Sequence, residues 1–239
     1  MSEQAATART DQLAAMSALG EPTRRALYEY VAAAGRWVSR DEAAEALDLE
    51  RGTAAHHLDR LASDGLLETD YQRLSGKQGP GAGRPAKLYR RALRDFDVTL
   101  PPRDYALVGM MLAEAVDRSR TARVDIADAV DDVATAEGRR LGDATGEELP
   151  VARVRTPARR RKVVLDVLER HGFEPRTDDD GTVVLRNCPF HKLAQEHTDL
   201  ICGMNLCMMK AVLDQVGDLG LEARLEPEAD ACCVKLRPR

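Results

Sequence analysis

A chain of 239 residues is long enough for two domains of ordinary size, and its 44% hydrophobic but only 4% aromatic composition requires cores of Leu, Val and Ala, which favours helix. No stretch approaches the roughly 20 uninterrupted apolar residues that span a bilayer, and the opening MSEQAATARTDQ has no apolar leader core, so a membrane partner is excluded and a cytoplasmic location is expected. The net charge of −5 does not exclude a polyanionic partner, because residues 1–103 carry 15 Lys or Arg against 15 Asp or Glu and the whole deficit lies in residues 104–239, with 20 against 25.

The first dozen residues are polar and predict a frayed end. An apolar pattern then runs through Leu13, Met16, Leu19, Leu27, Tyr28 and Val31, interrupted at Gly20-Glu21-Pro22, where Pro22 suits the first turn of a new helix. Ser39-Arg-Asp-Glu42 reads as a capping box that starts the helix holding Ala43, Ala44 and Leu47. After a short turn at residues 48–50, RGTAAHHLDRLASDG places Ala55, Leu58 and Leu61 at helical spacing, with Gly65 as the C-cap. Leu66 to Tyr71 and Ala86 to Tyr89 read as two strands around a Gly- and Pro-rich stretch, Gly76 to Pro85. Helix, turn, helix and hairpin in this order predict a winged helix-turn-helix that binds duplex DNA.

In such a fold the second helix enters the major groove, so its outward side chains must read base edges and hold phosphate. Arg51, Thr53, His56, His57 and Arg60 meet that need, while Ala55 and Leu58 are expected to face the core. Arg84 and Lys87 in the wing, close to Arg90 and Arg91, are expected to track the backbone or enter the minor groove. His56 and His57 are adjacent on a helix and point about 100° apart, which favours groove contact over metal ligation.

Residues 92–103 read as an exit linker. From Tyr105 to about Gly142 the apolar spacing predicts two helices with Ala-rich faces, either a dimerisation element or plain packing helices, and Gly142 to Pro150 reads as a loop. The remainder predicts a helix to about Arg170, a strand at Val183–Arg186, helices around Leu193–His197 and Gly203–Val216, and strands at Glu222–Leu225 and Cys233–Leu236. The expected fold is therefore α+β and helix-rich. It divides into a reader (1–94), a linker and helical segment (95–150) and a cysteine-containing domain (151–239).

All five cysteines fall in that last segment: Cys188, Cys202, Cys207, Cys232 and Cys233, with His191 and His197 nearby. Thiolates in this number suit zinc or an iron–sulfur cluster, and the absence of C-x-x-C knuckles lowers the structural-zinc reading. Cys207 lies within an apolar helical run, where a small buried hydrophobe is the simpler reading. Cys232 and Cys233 open a strand and are expected to face opposite ways, so one of them is a ligand. His191 reads equally as a ligand and as an ordinary turn histidine, and His197 as a surface residue. No Ser–His–Asp order, phosphate-cradling glycine loop or H-E-x-x-H is present, which argues against an enzyme.

The wing GRPAKLYR, the block NCPFHKLAQEHTDLICGMN and the ending CCVKL resemble the SufR family of bacterial regulators. The resemblance covers both ends of the chain and is weakest around residues 95–150. It implies an ArsR-like winged helix, a homodimer and a palindromic operator, with repression of iron–sulfur cluster assembly genes. It also implies a cluster in each chain, commonly [4Fe–4S], whose occupancy sets DNA affinity by locking the dimer in the spacing of the operator. By position Cys188, Cys202 and Cys232 match the family cysteines. The additional cysteine that some members carry between the second and last is absent from AVLDQVGDLG, so the fourth ligand falls to Cys207, Cys233 or His191.

Overall fold

Two helix-rich units make up the chain, the first ending at Val98 and the second beginning at Thr99. The computed structural model describes residues 3–72, 85–148, 156–228 and 230–239. In the first unit α1 (Glu3–Ala18) and α2 (Pro22–Ala34) precede a two-residue strand, β1 (Val38–Ser39). Then come α3 (Arg40–Ala46), α4 (Arg51–Ser63), β2 (Leu67–Gln72) and β3 (Ala86–Arg91), and the strands form an antiparallel sheet in the order β1-β3-β2. Helix α1 begins within the polar opening where fraying was expected. Its Ala-rich start is a strong helix former despite lacking an apolar stripe.

Local chemistry sets the helix ends. Pro22 opens α2, the Glu21 carboxylate accepts from the amides of Thr23 at 3.0 Å and Arg24 at 2.7 Å, and Gly35 closes the helix at a left-handed φ of 62°. Those two amides hold the Glu21 carboxyl at about 2, below its ordinary 4.5. The stabilisation this cap contributes is complete above about pH 4.5 and disappears as pH falls through about 2. A Glu21→Gln variant is expected to lose that part of the acid dependence of thermal unfolding; identical slopes in variant and parent would refute it.

At α3 the Glu42 amide donates to Ser39 Oγ at 3.1 Å, but the Glu42 carboxylate does not reach back to close the expected capping box. It is held instead by the Arg36 guanidinium and, at 3.3 Å, the Tyr30 hydroxyl. After α4, Gly65 takes a φ of 76° and the Leu66 amide reaches the Leu61 carbonyl at 2.9 Å, a Schellman-type closure. Leu27, Val31, Val38, Ala54, Leu58, Leu61 and Tyr89 form the fully buried centre of this unit. On α4 it is Ala54, not the expected Ala55, that goes to the core with Leu58, because residues four apart share a helix face.

The second unit begins with α5 (Tyr105–Ala122), α6 (Ile126–Glu148) and α7 (Pro157–Arg170). They are followed by β4 (Pro175–Thr177), β5 (Val183–Leu185), α8 (His191–Glu196), α9 (Thr198–Val216), β6 (Leu221–Leu225) and β7 (Val234–Pro238). The sheet is antiparallel in the order β4-β5-β7-β6. One core joins α5 and α6 to α7, α9 and the sheet, through Val108, Val133, Leu168, Leu185, Met208 and Leu236 among others. The expected division therefore shifts. The first unit extends past residue 94, with the Arg94 guanidinium 5.1 Å over the Phe96 ring, and residues 105–148 share their core with the cysteine-bearing segment.

Helix α6 also runs through the expected loop from Gly142, reaching Glu148. The reason lies in its contact with α9: a Cβ on Gly138 would meet the Met208 carbonyl oxygen at 2.2 Å, and one on Gly142 would meet Gln215 Cβ at 2.5 Å. Glycines that suggest a break in sequence are here the contact points of two closely packed helices.

Candidate functional site

Helix α3, the turn at residues 47–50 and α4 form the two-helix reader, with Asp48 at a left-handed φ of 52° and the Leu49 amide bonded to the Ala44 carbonyl at 2.9 Å. The face of α4 turned away from the core exposes Arg51, Thr53, His56, Asp59 and Arg60. Arg51 pairs with Asp41 across the turn, and Arg60 Nε donates to Asp64 Oδ2 at 2.9 Å, so both guanidiniums are oriented before any ligand arrives. Such exposed pairs contribute little stability.

His57 differs from the expectation. It is half-buried against the start of α2, with Nδ1 3.8 Å from Glu21 Oε2 and no hydrogen-bond partner, while His56 alone of the pair is exposed. The two rings lie 5.3 Å apart at 65°, as the helical turn between adjacent residues dictates.

The wing is tied to the reading helix through Asp59. Its Oδ1 accepts from Lys87 Nζ at 2.6 Å and from the Tyr89 hydroxyl at 2.7 Å. Burial works to raise the Asp59 carboxyl, but these two bonds outweigh it and hold the group below its ordinary value. The buried Tyr89 phenol is correspondingly pushed up, first by burial and then by Asp59. Arg90 stacks 4.6 Å over the Trp37 ring and pairs with Glu68 at 2.9 Å, which makes it part of the wing's base rather than a free phosphate contact. Arg84 lies outside the described residues.

Four of the five cysteines come together from three stretches of chain. Cys188 follows β5, Cys202 lies in the first half of α9, and Cys232 and Cys233 precede β7. The strand begins only at Val234, so the strand alternation that was expected to turn one of the last pair away does not act on them. Cys188 has Cys232 as its nearest titrating neighbour, and Cys202 has Cys233. The neighbouring Cys232 thiol, helped by the Phe190 amide and the Arg103 charge, outweighs burial and draws the Cys188 thiol down. The neighbouring Cys188 and then burial push Cys232 up, while burial and then Cys233 push Cys202 up to about 12. With Cys202 and Cys232 both raised, only a cation among them would make four thiolates stable together.

Cys188 is held from behind. The Arg103 guanidinium donates to its carbonyl at 3.1 Å and also to Asn187 Oδ1, whose own Nδ2 donates to the carbonyls of Pro102 at 2.9 Å and Gly172 at 2.6 Å. A half-open cleft of about 380 Å³ leads to Cys188 and Cys233 and is lined in part by His191, Gln195 and Thr198. Cys207 stands apart from the cluster, with Sγ 3.5 Å from Asp131 Oδ1 of α6. His197 is exposed at the junction of α8 and α9. Among the described residues no group of three or more His, Cys, Asp or Glu side chains is set as a ready-made cage for a single metal ion.

A family model described as a helix-turn-helix domain matches residues 19–70. No curated protein and no solved structure matches the chain. The helix-turn-helix domain supports a DNA-binding transcription regulator. The match runs from the end of α1 into β2 and so includes both reader helices. Among the described residues no helix is long and apolar enough to cross a membrane.

Sequence reasoning missed Asp59, Tyr89, Arg103 and Asn187. Asp59 was legible in principle as an acid on an otherwise basic helix face. The role of Arg103 and Asn187 depends on contacts 84 and 85 residues apart, which no local pattern carries.

Proposed function

We propose that this chain is a DNA-binding transcriptional repressor whose operator affinity is set by an iron–sulfur cluster, of the [4Fe–4S] type, held by Cys188, Cys202, Cys232 and Cys233. The observation that carries the reading is the convergence of those four thiols, paired Cys188 with Cys232 and Cys202 with Cys233. An all-sulfur donor set suits iron–sulfur clusters and zinc, and it disfavours magnesium and calcium. Bound there, a cluster would supply positive charge and a redox-labile cross-link between the three stretches of chain. Arg103 orients the Cys188 turn, the Phe190 amide holds the Cys188 sulfur, and the cleft beside His191 gives small molecules access.

The regulator acts as a homodimer in the cytoplasm on a palindromic operator, and cluster assembly genes are its targets. The resemblance of its wing and cysteine blocks to the SufR family supports those finer assignments. A change of site occupancy alters DNA affinity only through a difference between the two states, and tenfold in affinity corresponds to about 1.4 kcal/mol.

The test is anaerobic purification followed by visible spectroscopy, iron and sulfide analysis, and binding to selected duplexes. The protein is expected to be brown, with iron and sulfide in similar amounts. Cys188→Ser, Cys202→Ser, Cys232→Ser and Cys233→Ser are each expected to lose most of the colour, and Cys207→Ser to keep it. Loaded and stripped protein are expected to differ at least tenfold in duplex affinity. A colourless protein that holds zinc and cannot be reconstituted with iron and sulfide would overturn the cluster reading. Retention of colour by Cys233→Ser with its loss in Cys207→Ser would overturn the ligand set.

A further inference from the structure

Asn205 lies on α9 one turn after Cys202, so the two side chains leave the helix on a shared face. Only 3% of it is exposed, in a stretch otherwise buried through Ile201, Met204, Met208 and Met209. Its Nδ2 donates to Cys232 Sγ at 3.1 Å, and its buried Oδ1 has no hydrogen-bond partner. A buried amide with its acceptor unmet is costly, and an apolar side chain would fill this position in α9 without that cost. The one thing the amide does that a leucine or valine cannot do is aim an N–H at the sulfur of Cys232.

Cys232 is also the thiol most in need of such a partner. It is 1% exposed, so as a ligand its sulfur must find a donor in a place water does not reach. We infer that Asn205 is a positioning residue of the thiol centre: its amide N–H orients the Cys232 sulfur and stabilises it as a thiolate ligand. The inference rests on the reading of Cys232 as a ligand. A donor to a ligand sulfur strengthens metal binding, and it favours the more electron-rich state of the bound group by withdrawing charge from the sulfur.

Asn205→Thr and Asn205→Val test this, because threonine and valine have nearly the same shape and only threonine can donate. The probe is Cd²⁺ titrated into the anaerobic full-length protein, followed by the ultraviolet sulfur-to-cadmium absorption, which does not require the native cofactor. Asn205→Val is expected to bind Cd²⁺ about tenfold more weakly than the parent at equal absorption per ion, and Asn205→Thr to recover most of the loss. In protein reconstituted with iron and sulfide, Asn205→Val is expected to lower the midpoint potential by about 59 mV, a tenfold shift for one electron, with Asn205→Thr above it. Equal Cd²⁺ affinities for the Thr and Val variants would overturn the role of Asn205 even if both are weaker than the parent, since a shared packing defect would then explain the loss. Cd²⁺ binding with the expected order but no uptake of iron and sulfide would overturn the cluster and leave Asn205 in place. Failure of the parent to bind Cd²⁺ at all would overturn both.

Discussion

Gly138→Ala is expected to destabilise the second unit by about 2 kcal/mol or more. A methyl group there would sit 2.2 Å from the Met208 carbonyl oxygen and 2.7 Å from Ala211 Cβ, and the first of these is backbone of a packed helix that has no rotamer to change. Overpacking of this kind costs about 1–3 kcal/mol and more where the backbone must move, against which alanine recovers roughly 1 kcal/mol of helix propensity. Gly109 on α5 is the internal control. Nothing lies within 4 Å of a Cβ built there, so Gly109→Ala is expected to stabilise by about 0.5–1 kcal/mol. Calorimetry is the suitable measurement, since the only tryptophan, Trp37, belongs to the first unit and its fluorescence does not report the second. Stabilisation by both substitutions would mean that α6 and α9 stand further apart than the Gly138 contact requires.

The second large effect is expected from Asn187→Ala. The side chain is 6% exposed and satisfies the carbonyls of Pro102 and Gly172 while accepting from the Arg103 guanidinium. Its removal strands the Gly172 carbonyl and takes one acceptor from Arg103, whose Nη1 still reaches the Pro102 and Cys188 carbonyls, at about 2 kcal/mol in total. Because Arg103 also grips the Cys188 carbonyl, metal uptake at the thiols is expected to fall together with stability. Asn187→Asp keeps the acceptor for Arg103 and is expected to lose less. A calorimetric loss under about 1 kcal/mol for the alanine variant would show that water replaces the amide.

The reader was legible because its signals are local. Pro22 and Gly65 mark helix ends through backbone geometry, Ser39 marks a helix start through a side-chain cap, and Leu58 and Leu61 repeat at helical spacing. Strands β1 and β4, two and three residues long, are too short to show an alternation, and β4 opens with a proline. The orientation of His57 was missed because its neighbour across the fold, Glu21, lies 36 residues away in sequence. In the second unit the cysteines announced themselves by type, but their grouping depends on where β7 begins and on how closely α9 packs, and neither is written in the spacing. Cys233 gathers with the others because the strand begins one residue after it.

Asp59 has a further consequence for how the protein meets nucleic acid. Lys87 spends its charge on this carboxylate in the free protein, and a cation already matched internally displaces few ions from the polyelectrolyte it approaches. The contribution of Lys87 to indiscriminate attraction is therefore muted. Tyr89 and Lys87 meanwhile fix the hairpin strand against the reading helix through one oxygen atom, so the two probes arrive as a caliper of set width. What Lys87 forgoes in stickiness it returns as geometry: a duplex whose grooves match that width is engaged by helix and strand at once, and a mismatched one by neither fully.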